Sequence, residues 1–144
     1  MKEIAFSSRE DGRTPMQWDD TENPGFTAGI PWFKVNPNCS SLNAALQETD
    51  ANSCLNYFRK MVKLRKDNLA LVYGKYSLLD KDNPDVYVYT RELNGKKFLV
   101  ILNIKSKTST VNTGINLSIA KVLLNNYGSS KLNETLQPYE ATVN

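Results

Sequence analysis

Four of the chain's six prolines, Pro15, Pro24, Pro31 and Pro37, fall in its first 38 residues, and the same stretch carries Phe6, Trp18, Phe26, Trp32 and Phe33. Proline removes a backbone donor and fixes φ, and the segment shows no sustained period of 3.6 or 2, so it reads as irregular chain. Aromatic side chains at this density nevertheless carry more apolar surface than a solvated linker would. A structureless segment longer than about 12 to 15 residues is uncommon inside a compact domain and usually serves as an active-site or binding loop. The expectation is an arm built to lie on a surface larger than this chain supplies, or to meet another copy of it.

Beyond the arm the pattern becomes helical. A short turn is predicted over Ser41 to Leu46 and a stronger helix from about Ser53 to Asp67. In the second, Leu55, Phe58, Met61 and Val62, with Leu64 beside them, form an apolar stripe, while Arg59, Lys60, Lys63, Arg65 and Lys66 cover the rest. Asn52 or Asp50 is expected to cap its start, because a short side-chain acceptor satisfies the free N–H groups of a first turn. The basic residues toward its end suit the helix dipole.

From Tyr73 onward the sequence reads as strands and turns: Tyr73 to Leu79, Val86 to Leu93, Lys96 to Ile104, Thr108 to Val111, Lys121 to Asn125 and Thr135 to Val143. Asn94-Gly95 between two of them is a hairpin signal, since both central residues of a type I′ turn need positive φ. Strands at this spacing argue an antiparallel sandwich or small barrel.

At 144 residues the chain suits one ordinary domain and is too short for a (β/α)₈ barrel. It is 40% hydrophobic and 23% charged, without an apolar run near the roughly 18 residues of a membrane span. The first residues lack the apolar core of a secretory signal, so a cytoplasmic location is expected. A net charge of +3 is too mild to make nucleic acid or anionic lipid a default partner, and neither is expected. With no histidine, Ser-His-Asp, Cys-His and His-metal chemistry are excluded within the chain. Cys39 and Cys54 lack C-x-x-C spacing and read as unreactive thiols. No metal or other cofactor is expected.

The acids Glu10-Asp11, Asp19-Asp20 and Glu22 invite a two-carboxylate glycosidase reading, but a retaining pair needs carboxyls about 5 to 5.5 Å apart, whereas neighbours in extended chain point to opposite sides. They read as solvated turn acids, and no catalytic residue is assigned. Arg9, Arg13, Trp18 and Asp19 have more shape: guanidinium forks match sugar hydroxyls, and an indole can pack on a hexose face. On composition alone, arginines bridging to backbone or acids and tryptophans buried in a core account for them better.

The run Arg13-Thr14-Pro15-Met16-Gln17-Trp18-Asp19-Asp20 resembles the late motif of the oligo-1,6-glucosidase and α-glucosidase branch of the α-amylase superfamily, glycoside hydrolase family 13. The similarity continues through Asn23-Pro24-Gly25-Phe26, Pro31-Trp32, Val35-Asn36-Pro37-Asn38, Leu64-Arg65-Lys66-Asp67-Asn68, Tyr73-Gly74 and Leu136-Gln137-Pro138-Tyr139-Glu140-Ala141. The resemblance covers essentially the whole chain and implies the last quarter of such an enzyme. Residues 1–72 would then be the end of the catalytic barrel, comprising the loop after its eighth strand and its last helix. Residues 73–144 would be a C-terminal antiparallel β-sandwich of the domain C type.

The resemblance further implies that the nucleophilic aspartate, the acid/base glutamate and the third aspartate lie upstream. The chain alone would be an inactive scaffold, partnered by the upstream barrel of a retaining α-glucosidase that takes α-glucoside oligosaccharides such as isomaltose. In the family pattern Arg-Asp-Asn-Ala-Arg-Thr-Pro-Met-Gln-Trp the second arginine, matching Arg13, helps hold the non-reducing-end glucose. The first, matching Arg9, lies nearer the leaving group. Here Glu10-Asp11-Gly12 replaces Asp-Asn-Ala, which changes the charge and backbone freedom between them. The competing class is a non-catalytic carbohydrate-binding or interaction β-module, presenting Tyr76, Tyr87, Tyr89 or Tyr127; tyrosines in strands are more simply sheet packing.

Overall fold

The Asn94-Gly95 turn sets the register of the β region. Both residues take positive φ, 51° and 77°, and the flanking strands pair antiparallel from Leu93 opposite Lys96 to Val86 opposite Asn103. These are β2 (Val86–Leu93) and β3 (Lys96–Asn103) in a computed structural model that describes residues 13–144. The described chain falls into two compact units, divided between Tyr57 and Phe58.

In the second unit β1 (Lys75–Leu79), β4 (Ser109–Thr110), β5 (Leu124–Asn125), β6 (Thr135–Leu136) and β7 (Ala141–Val143) complete seven strands among the described residues. One antiparallel sheet runs β1-β2-β3-β7-β5, and β4 pairs with β6 in a second. Alternation sends Val86, Val88, Leu99 and Ile101 to one face of the large sheet, where they bury against Val111 and Leu136 beside or on the small one. This is the expected mainly-β, antiparallel sandwich.

The predicted strand over Thr135 to Val143 is two strands in different sheets. Between them Pro138 has no N–H to give a ladder, Tyr139 takes φ 54°, and the Glu140 amide donates to Gln137 O at 3.1 Å. Glu140, almost fully buried, fixes this corner: its Oε2 accepts from the Gln137 amide at 2.7 Å and its Oε1 from Asn125 Nδ2 at 2.8 Å.

Three helices precede the sheet: α1 (Ala44–Thr49), α2 (Cys54–Asp67) and α3 (Leu69–Tyr73). Asn43 caps α1 by accepting from Leu46 N at 2.8 Å, which places the helix three residues later than predicted. The α2 cap is Ser53 and not Asn52 or Asp50: Ser53 Oγ accepts from Asn56 N at 3.2 Å, while Gln47 Oε1 takes the Leu55 amide. No residue of α2 is buried, and Phe58 and Met61 on its apolar stripe are exposed.

Helix α3 replaces the predicted start of β1, which begins at Lys75 instead of Tyr73. Its Ala70 and Leu71 bury with Phe98 on the opposite face of the large sheet from the main core, with Leu64, Leu93 and Val143 around them. Gly74 lets the helix end run directly into the sheet, because a Cβ there would stand 2.3 Å from Ala70 O and 2.9 Å from Glu92 N.

Candidate functional site

The motif segment in the first unit is held by backbone. Ala44 N donates to Gln17 O and Ala45 N to Trp18 O, each at 2.9 Å, so the unpaired amides at the start of α1 anchor the run Gln17-Trp18. Gln17 Nε2 adds a bond to Leu42 O. Trp18 N then donates to Pro24 O at 2.9 Å and closes a loop over residues 18–24, which ends in a 3₁₀ turn, Asn23–Gly25.

Within the loop Asp19 turns inward. Its Oδ1 accepts from both the hydroxyl and the amide of Thr21, the latter at 2.9 Å. These bonds, the hydroxyl's first, hold the Asp19 carboxyl below the usual aspartate range. Gly25, at φ 65°, lies against the same carboxylate. Asn23 Nδ2 pins the next turn by donating to Thr27 O at 3.3 Å and Gly29 O at 3.0 Å.

Arg13 is exposed at the start of the described segment. The structure does not bring it onto Asp19, whose carboxyl answers to Thr21. Arg9, Glu10, Asp11 and Phe6 lie outside the described residues. The account in which the tryptophans are buried fails: Trp18 is 53% exposed, and Trp32 is 93% exposed, stacked on Phe33 with ring centroids 5.3 Å apart.

Chemically, the segment offers the exposed Arg13 guanidinium and, on the bonded backbone of the loop, the half-exposed Trp18 indole, two groups suited to sugar hydroxyls and sugar faces. A carboxyl held in the ionised form, as Asp19 is, makes a poor general acid at neutral pH. Among the described residues no three Cys, Asp or Glu side chains are grouped to hold a metal ion. Of the residues that shape the loop, Asn23 and Gly25 entered the sequence reading only within the resembling run Asn23-Pro24-Gly25-Phe26, with no structural role given, and Asn43 did not enter it. Asn-Pro-Gly is a turn signal that could have marked the first two.

Residues 1–74 match the family described as the catalytic domain of alpha amylase. The chain belongs to the α-amylase family. Among relatives of this α-amylase-family chain, the oligo-1,6-glucosidase of Parageobacillus thermoglucosidasius is 40% identical over 99% of the chain and 26% of its own length. The trehalose-6-phosphate hydrolase of Bacillus subtilis is 37% identical, over 97% and 26%. Of solved structures, the trehalulose synthase MutB of Pseudomonas mesoacidophila superposes with a TM-score of 0.88 at 36% identity, covering 99% of the chain and 26% of that enzyme. The isomaltulose synthase of a Klebsiella species does so at 0.85 and 39%, covering 94% and 25%. The chain thus spans about a quarter of the length of the relatives it matches. The catalytic-domain match stops at Gly74, so it takes in the loop and all three helices, and every described strand follows it. Among the described residues no helix is long and apolar enough to cross a membrane.

Proposed function

We propose that the chain is the C-terminal quarter of a cytoplasmic, retaining α-glucosidase that cleaves α-glucosidic bonds of short oligosaccharides such as isomaltose. The observation that carries this reading is the 40% identity to an oligo-1,6-glucosidase along 99% of the chain. The exposed Arg13 and Trp18 support it, as recognition groups left facing outward where a sugar site would be completed by other residues.

In this reading residues 1–72 finish the catalytic barrel and residues 73–144 form a scaffold for it. Arg13 grips the hydroxyls of the non-reducing-end glucose through its planar fork, and Arg9 lies toward the leaving-group side. The nucleophile and the acid that protonates the leaving oxygen come from the upstream barrel, so the chain alone hydrolyses nothing.

The test is a graft. The chain replaces the matching quarter of the Parageobacillus oligo-1,6-glucosidase, and release of glucose from isomaltose and of nitrophenol from its α-glucoside is measured for the chimera and for the free chain. The expected result is turnover by the chimera and none by the free chain. Turnover by the rigorously purified free chain, or a folded chimera without activity, overturns the proposal.

A further inference from the structure

The Asn94-Gly95 turn carries chemistry as well as register. An asparagine followed by glycine is open to attack on its side-chain carbonyl by the next backbone nitrogen, because no Cβ stands in the way. Both residues are exposed, and a Cβ at Gly95 would meet nothing within 4 Å. Among the described residues neither the Asn94 carboxamide nor the Gly95 amide has a hydrogen-bond partner. Asn94 also sits at φ 51°, where an L-residue other than glycine is held at some cost.

Other asparagines of the chain lack one or more of these features. Asn43, Asn56, Asn68, Asn103 and Asn125 engage their carboxamides in hydrogen bonds. Asn52 precedes the small residue Ser53, but the Ser53 amide already donates to Asp50 O at 3.1 Å. Asn23, Asn36 and Asn83 precede proline, which has no N–H to lose.

We propose that Asn94 is a site of spontaneous deamidation, at which the turn converts to isoaspartate and loosens the hairpin it closes. The Gly95 nitrogen gives its proton to water and attacks Asn94 Cγ. The N–Cγ bond forms, the Cγ–Nδ2 bond breaks, and ammonia leaves with a proton, giving a cyclic succinimide. Water then opens the ring, so that overall one water is consumed and one ammonia released. Opening at Cγ gives aspartate. Opening at the main-chain carbonyl gives isoaspartate, whose main chain runs through Cβ and Cγ and leaves the carboxylate on Cα. Ring closure proceeds while the turn is locally open, which the end of a hairpin reaches more readily than its strands.

Isoaspartate lengthens the main chain by one atom inside a two-residue turn whose backbone matches the twist of its strands. The pair it disturbs first is Leu93 opposite Lys96. Leu93 packs on Ala70, Leu71 and Phe98, and Asn94 lines a cleft with Leu69 and Phe98, so the disturbance reaches the packing of α3.

The test ages the 144-residue chain in mildly alkaline buffer and maps its peptides by mass spectrometry with electron-transfer fragmentation, which tells aspartate from isoaspartate. Conversion is expected at residue 94 before any other asparagine, with isoaspartate among the products. Asn94→Gly removes the site and keeps a pair that suits the turn, and Asn94→Asp carries the new charge on an unlengthened main chain. The denaturant midpoint and the amide protection of β2 and β3 beside the turn should fall with age in the parent chain and hold in Asn94→Gly. In fresh Asn94→Asp both should stay near the unaged parent. Conversion elsewhere while Asn94 survives overturns the site. Aspartate alone at residue 94, an aged chain indistinguishable from fresh Asn94→Asp, or an equal fall with age in Asn94→Gly overturns the loosened turn.

Discussion

Gly25 presses against the Asp19 carboxylate: a Cβ at position 25 would lie 2.8 Å from Oδ2 and 3.0 Å from Oδ1. Its φ of 65° adds a second demand for glycine. Gly25→Ala therefore meets about 1–2 kcal/mol of left-handed strain and must also push Asp19 off Thr21. The expected outcome is a less stable loop whose Asp19 titrates closer to an ordinary aspartate, read by NMR. An unchanged Asp19 midpoint in the variant would show that the contact is not formed.

The depressed Asp19 carboxyl makes the same loop sensitive to acid. Its cause is hydrogen bonding by Thr21, so Thr21→Val, which removes the hydroxyl, should raise the Asp19 midpoint. Because the folded-state value lies below the unfolded one, the stabilisation is fully present above the ordinary aspartate value of about 3.9. It is lost as pH falls from there through the folded value. Protection of the residue-21 amide, taken relative to intrinsic exchange at each pH, should thus fall as pH drops through that window, and in Thr21→Val this pH-dependent fall should be smaller.

Gly74 is a glycine for space alone, since its φ of −62° suits any residue. The atoms a Cβ would meet, Ala70 O, Glu92 N and Glu92 O, are all backbone and cannot swing aside. Gly74→Ala should prise the end of α3 from β2 and weaken the Arg91 bond to Gly74 O, at a cost of about 1–3 kcal/mol. Gly29→Ala is the control, because only Thr27 Oγ1, at 3.7 Å, lies near that position. Comparable losses in denaturant midpoint for the two variants would refute the steric account.

What could be read from the sequence was what a local pattern determines. Asn94-Gly95 fixed both the turn and the register of β2 and β3, and β2 runs over the predicted residues. Helix α3 escaped because Leu69–Tyr73 is a short apolar run, for which periodicity does not separate helix from strand. The split of β6 from β7 depends on Glu140 bonding to Asn125, 15 residues away, a contact no local window contains. At the site, the Arg13–Asp20 run was recognisable as a pattern. The loop's closure by the Trp18 amide on Pro24 O, and the pinning of the next turn by Asn23, follow from backbone partners that residue types do not announce.

Arg13 is where the proposed function is most exposed to refutation. Its side chain is solvent-facing here, so Arg13→Lys should leave the fold and its stability intact. In the active chimera the lysine keeps the charge but loses the planar two-donor fork. Sugar hydroxyls left unpaired in a closed pocket cost about 1–3 kcal/mol each, so kcat/KM on isomaltose should fall about ten- to a hundredfold. Arg9→Lys, tested beside it, should act less on the glucose held at the cleavage site and more on discrimination between leaving groups, seen by comparing isomaltose with nitrophenyl α-glucoside. Wild-type kcat/KM in a well-folded Arg13→Lys chimera would make this arginine a surface residue and remove it from the sugar site.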